Sequence, residues 1–157
     1  KETKCEAVKL EGGFKIKSIV EYLINNKIPV MGHLGLLPQS IKGKFKSKGK
    51  TEREKNKLIS ESKLLESLGV FAIVLECIRG KTADLITKSI SIPTIGIGSS
   101  AHCDGQVLVT DDLVGLNSTN IKFVKKFVNI KKEINRGIKK YKLEVLKSSF
   151  PSKKYSY

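Results

Sequence analysis

The twelve residues Pro29-Val-Met-Gly-His-Leu-Gly-Leu-Leu-Pro-Gln-Ser40 govern the interpretation of everything around them. A short apolar run ends in Gly-His, a Gly- and Pro-bearing turn follows, and His33 is left at the mouth of a buried strand. Similar strand ends lie on either side, in Val8-Lys-Leu-Glu-Gly-Gly13 and Phe71-Ala-Ile-Val-Leu-Glu-Cys77. Each delivers an ionisable side chain where a strand stops, which is how α/β barrels and open α/β sheets assemble active sites. The pattern points to an enzyme.

The flanking segments alternate between strand and helix signals. Residues 7–10, 28–31, 70–75, 93–97 and 106–110 read as strands, and the near-continuous apolar run at 70–75 marks one buried on both faces. Residues 16–24 carry Ile16, Ile19, Val20 and Leu23 at the spacing of one helix face, and 52–68, 82–89 and 121–146 also read as helices. The last is basic and is expected to break near Arg136-Gly137. Five strands alternating with helices predict a parallel α/β architecture, either a small open sheet or the later part of an eight-stranded barrel. Residue 1 is Lys and the only methionine is Met31, so the sequence is expected to be N-terminally incomplete or processed.

The net charge is +15, yet all but three of the 30 basic residues are lysines, the exceptions being Arg53, Arg79 and Arg136. Phosphate-gripping proteins favour arginine, whose fork pairs phosphate bidentately. Lysine accompanied by abundant Ile, Asn and Ser is better explained by AT-rich codon usage, so no specific nucleic-acid partner is expected. No apolar run approaches the roughly 20 residues of a membrane helix, and no membrane partner is expected. The three cysteines have no C-x-x-C spacing, which points to free thiols and a reducing, cytoplasmic setting.

Lys9 and Glu11, two apart on a strand, leave on the same face. They form either a structural ion pair or a working pair, with Glu11 a hard oxygen ligand for Mg²⁺ and Lys9 a cation for a substrate carboxylate. Glu76 ends an unbroken apolar run, where desolvation raises a carboxylate's pKa and suits it to proton transfer. His33 is a base, a ligand or a hydrogen-bonded wall residue. His102-Cys103-Asp104 fits no zinc spacing, and Gly96-Ile-Gly98 with Ser99-Ser100 is a weak anion-loop signal.

Taken in order, these strings resemble the ketopantoate hydroxymethyltransferase (3-methyl-2-oxobutanoate hydroxymethyltransferase) family. The matching segments are Val8–Gly13, 29–40, Gly49-Lys-Thr51, Val74-Leu-Glu-Cys77, Ile92-Pro-Thr-Ile-Gly-Ile-Gly98, Cys103-Asp-Gly-Gln-Val-Leu-Val109, Phe123-Val-Lys-Lys-Phe127 and Phe150-Pro151. The resemblance implies the C-terminal part, about strands 4–8, of a (β/α)₈ TIM barrel over residues 1–147, with a polar tail at 148–157. It also implies transfer of a one-carbon unit from the co-substrate 5,10-methylenetetrahydrofolate to 3-methyl-2-oxobutanoate, giving 2-dehydropantoate in pantothenate biosynthesis. Mg²⁺ would assist enolate formation. By position Glu76 matches the family's proton acceptor, Glu11 an acid of its metal shell, Lys9 its substrate-binding lysine and His33 a histidine lining the substrate pocket. An Asp-Ser pair and a further Asp of the family would precede Lys1. A homo-oligomer is implied.

Departures from the pattern include Phe45 in place of a tyrosine, Tyr155-Ser-Tyr157 where a histidine is common, and Ser99-Ser100 after the strand at 93–97, where a serine in place of glycine is expected to strain a φ > 0 turn. Two other readings stand beside the enzyme: a non-catalytic relic or structural subunit, and a polyanion-binding domain built on 42–50 and the basic face of 122–147.

Overall fold

The computed structural model describes residues 4–40, 46–118 and 121–157. It divides into two compact units, Lys1–Val107 and Leu108–Tyr157. The first holds a parallel sheet of five strands in chain order: β1 (Val8–Glu11), β2 (Val30–Gly35), β3 (Ala72–Glu76), β4 (Thr94–Ile97) and β5 (Gly105–Gln106). Helices α1 (Lys17–Asn25), α2 (Glu52–Ser67) and α3 (Gly80–Ser89) form the crossovers between β1 and β4. This is the α/β arrangement of a partial TIM barrel.

Strand alternation sorts the two faces of the sheet. Val30, Leu34, Ile73 and Leu75 pack in one core with Val20 of α1, Leu58 and Leu65 of α2, and Ala83 and Ile86 of α3, and Val8 and Leu10 lie against it. The other face carries Lys9, Glu11, Met31, His33, Val74 and Glu76. The charged and titratable side chains therefore share the face away from the helices.

Several boundaries differ from the sequence reading, two of them near the site. β2 continues to Gly35, so His33 lies inside the strand and not at its mouth. The Gly-His-Leu-Gly string looks like a turn in isolation, but β3 supplies ladder partners from Met31 to Gly35. Gly35, at φ +100, is what the packing demands, because a Cβ there would sit 2.2 Å from the Glu76 carbonyl oxygen. β5 stops at Gln106, since its ladder with β4 ends at Gly96↔Gln106. Val107 and Val109 are left exposed, and residues predicted to end that strand begin a short helix, α4 (Thr110–Leu113).

In the second unit the long basic helix α5 spans Ile130–Leu146, not 121–146, and runs unbroken through Arg136-Gly137. Asn129 starts it by accepting a hydrogen bond from the Lys132 N–H at 3.0 Å. The tail contains a 3₁₀ turn at Lys153–Tyr155, and the Phe150 ring contacts those of Tyr141 and Tyr155.

Candidate active site

Sheet register builds the site. β1 and β2 pair Glu11 with His33, and β2 and β3 pair His33 with Val74 and Gly35 with Glu76. Residues distant in sequence thus meet at the carboxyl ends of three adjacent strands. His33 Nε2 lies 3.2 Å from Glu76 Oε2, and His33 Nδ1 lies 3.9 Å from Glu11 Oε1. The His33 side chain is 1% exposed, against 11% for Glu11 and 12% for Glu76.

Lys9 stands on the same face, one pleat before Glu11, with its side chain exposed. Among the described residues Lys9 and Glu11 do not form an ion pair with each other. Glu11 Oε2 instead accepts a hydrogen bond from the Gln39 N–H at 3.2 Å. That contact ties the segment after β2 back to the end of β1.

The electrostatics follow from burial. Desolvation, and then the Lys9 cation, push the His33 pKa down, against smaller upward pulls from Glu11 and the Leu36 backbone. His33 is accordingly neutral at neutral pH, and its approach to Glu76 is that of an uncharged imidazole. Burial pushes the Glu76 pKa above the ordinary carboxylate value, Glu11 adds to the rise and Lys9 opposes it. The neighbouring Cys77 thiol is pushed up to about 11 by burial and by Glu76, so it is not a nucleophile at neutral pH.

Ser99 is a residue the sequence misjudged. Neither Ser99 nor Ser100 has a positive φ; the left-handed residue there is Gly98, at φ +62. Ser99 Oγ donates to the Leu75 carbonyl at 2.6 Å and accepts from the Ile78 N–H at 3.0 Å. It clamps the residues that flank Glu76 and the left-handed Cys77, at φ +51. A hydroxyl with one donor and two acceptor sites after a Gly-x-Gly strand end was the available signal.

The remaining candidates have local roles. Asp104 accepts from the Thr94 N–H and hydroxyl at 2.8 and 3.0 Å, and His102 Nδ1 lies 3.2 Å from Asp84 Oδ1. Cys77 and Cys103 are buried free thiols. Phe45 lies outside the described residues.

Among the described residues no three His, Cys, Asp or Glu side chains are grouped to hold a metal ion. Glu11 suits Mg²⁺ as a single hard-oxygen ligand, and the rest of an octahedral shell would have to come from water, substrate or other ligands. No helix of the described residues is long and apolar enough to cross a membrane.

Comparison with known proteins gives a consistent result. The family model described as "Ketopantoate hydroxymethyltransferase" matches residues 1–153. A 3-methyl-2-oxobutanoate hydroxymethyltransferase of Pelagibacter ubique (strain HTCC1062) is 58% identical over 156 residues, covering 99% of this chain and 60% of the relative. Proteins of the same name from Clostridium novyi (strain NT) and Clostridioides difficile (strain 630) are 49% and 48% identical over 160 residues, each covering 100% of this chain and 58% of the relative. The chain thus spans about 60% of the length of the curated relatives it matches.

Proposed function

This chain belongs to the ketopantoate hydroxymethyltransferase family, and we propose that it carries the proton-transfer half of a hydroxymethyl transfer from 5,10-methylenetetrahydrofolate to 3-methyl-2-oxobutanoate, forming 2-dehydropantoate. The observation that carries the reading is the meeting of Glu11, His33 and Glu76 on one sheet face, with the Glu76 pKa held above the ordinary carboxylate value.

In this mechanism the Lys9 ammonium receives the carboxylate of the keto acid. Glu11 would contribute one ligand to Mg²⁺, which would supply Lewis-acid polarisation of the keto group and so acidify the adjacent C–H. Glu76, in its ionised form, takes the C3 proton. Its raised pKa brings it nearer to the acidity of that carbon, which favours proton transfer. The C3 carbon then forms its bond to the methylene carbon of the folate, both C–N bonds of that methylene break to release tetrahydrofolate, and water supplies the hydroxyl oxygen of 2-dehydropantoate. His33 closes the floor beneath the two carboxylates. The reading carries with it a cytoplasmic homo-oligomer.

Proton abstraction does not need the folate, so the first half can be read alone. In D₂O with Mg²⁺ and keto acid, the full-length protein is expected to exchange the C3 hydrogen. Glu76→Gln should slow that exchange by about 100-fold or more. Exchange at the wild-type rate in this variant would remove Glu76 as the base.

A further inference from the structure

His33 is the most buried member of the cluster, and neither of its ring nitrogens has an aligned hydrogen-bond partner. Buried side-chain polar atoms ordinarily have one, so the pair needs an explanation. Both nitrogens nevertheless face oxygen: Nε2 is 3.2 Å from Glu76 Oε2, and Nδ1 is 3.9 Å from Glu11 Oε1. A neutral imidazole has a single N–H and can serve one of the two carboxylates at a time. The Glu76 oxygen at 3.2 Å lies within hydrogen-bond reach of the ring and the Glu11 oxygen at 3.9 Å does not, which leaves the Leu36 backbone as the competing acceptor.

We propose that His33 is a positioning residue for Glu76: its Nε2–H is donated to Glu76 Oε2 and turns the other oxygen, Oε1, toward the substrate proton. This rests on the reading of Glu76 as the base. Glu76 Oε1 has no partner among the described residues, as a proton-accepting oxygen requires. A donor at Oε2 also favours the ionised carboxylate and opposes what burial does to it. Such contacts are often misaligned without substrate and tighten when it binds. At 1% exposure His33 presents almost no surface to a ligand, so it acts through Glu76 and not by touching the substrate.

The test uses the full-length protein and two independent readouts. In ¹⁵N-histidine NMR near neutral pH, His33 is expected as the neutral tautomer protonated at Nε2. In the C3–H exchange assay, His33→Leu should lower kcat by about 10- to 100-fold with the KM for keto acid nearly unchanged, the size expected when a reacting group is misplaced. His33→Gln retains an N–H donor and should recover most of the loss. A purely structural role would not separate Leu from Gln in this way. A proton found on Nδ1 would overturn the proposal, as would wild-type exchange by a folded His33→Leu protein. A raised KM with kcat intact would make His33 a substrate ligand instead. If His33→Leu fails to fold, the tautomer in the wild-type protein still decides. Absence of exchange in the wild type would sink the reading of Glu76 while leaving the tautomer measurement valid.

Discussion

At the scale of single residues, the site is governed by what burial does to charge. Glu76 is 12% exposed and faces a second carboxylate, and both conditions disfavour its ionised form. As a base it must be ionised, so the exchange rate should rise with pH through a pKa above 4.5, the ordinary value. A pH profile of exchange whose acid limb falls at or below that value would contradict the assignment. The same shift has a consequence for stability. The native chain keeps the Glu76 proton to higher pH than the unfolded chain, so stability declines as pH rises from the unfolded pKa through the folded one. Glu76→Gln should therefore raise the melting temperature near neutral pH and have little effect well below the unfolded value of 4.5, where both states are protonated. These effects were legible in part from the sequence. An unbroken apolar run before Glu76 implies desolvation, but the opposing Glu11 and the intervening His33 become visible only when three strands are aligned.

At the scale of elements, the position of Glu76 depends on how β3 ends. The Cys77 N–H is bonded to the Ile97 carbonyl at 2.9 Å, and the Cys77 carbonyl accepts from the Lys48 N–H at the same distance. Ser99 closes the arrangement by bonding Leu75 and Ile78 on either side. Ser99→Ala would leave the Ile78 N–H without its partner, at a cost of about 1–3 kcal/mol. Denaturant unfolding should report that loss, and the exchange rate should fall because the Glu76 turn loosens. A stability change within experimental error would show that another group takes over the pin. The elements most readable in sequence were those with unmistakable periodicity or length: the apolar run at β3, and α2, where Thr51 accepts from the Glu54 N–H at the helix start. β2 and β5 were misjudged in opposite directions for one reason. Strand length is set by the neighbours that supply hydrogen bonds, and those neighbours are not written in the local string. β3 extends β2 through two glycines to Gly35, whereas the ladder of β5 with the short β4 ends at Gln106, and the last bond the strand edge supplies is from the Val107 N–H to the Gly96 carbonyl at 3.0 Å.

At the scale of the whole molecule, the surfaces that strand pairing and helix packing leave uncovered dictate behaviour. Among the described residues, β1 and β5 are each hydrogen-bonded on one side only, which leaves two parallel-sheet edges open. Helices α1, α2 and α3 pack on the sheet face opposite Lys9, Met31 and Glu76, and in the second unit α5 has no buried residue, with Ile138 60% exposed and Leu146 71% exposed. Unpaired edges and continuous apolar strips associate unless something covers them. The 157-residue chain on its own is therefore expected to self-associate. Light scattering coupled to size-exclusion chromatography at micromolar concentration should show species larger than a monomer. The strong positive charge opposes close approach at low ionic strength, so association should increase as salt screens that repulsion. A monodisperse monomer of 17.4 kDa across the salt range would mean that these surfaces are satisfied within the chain. Association that weakens with salt would instead assign it to charge pairing between copies, and the open edges would not be its cause.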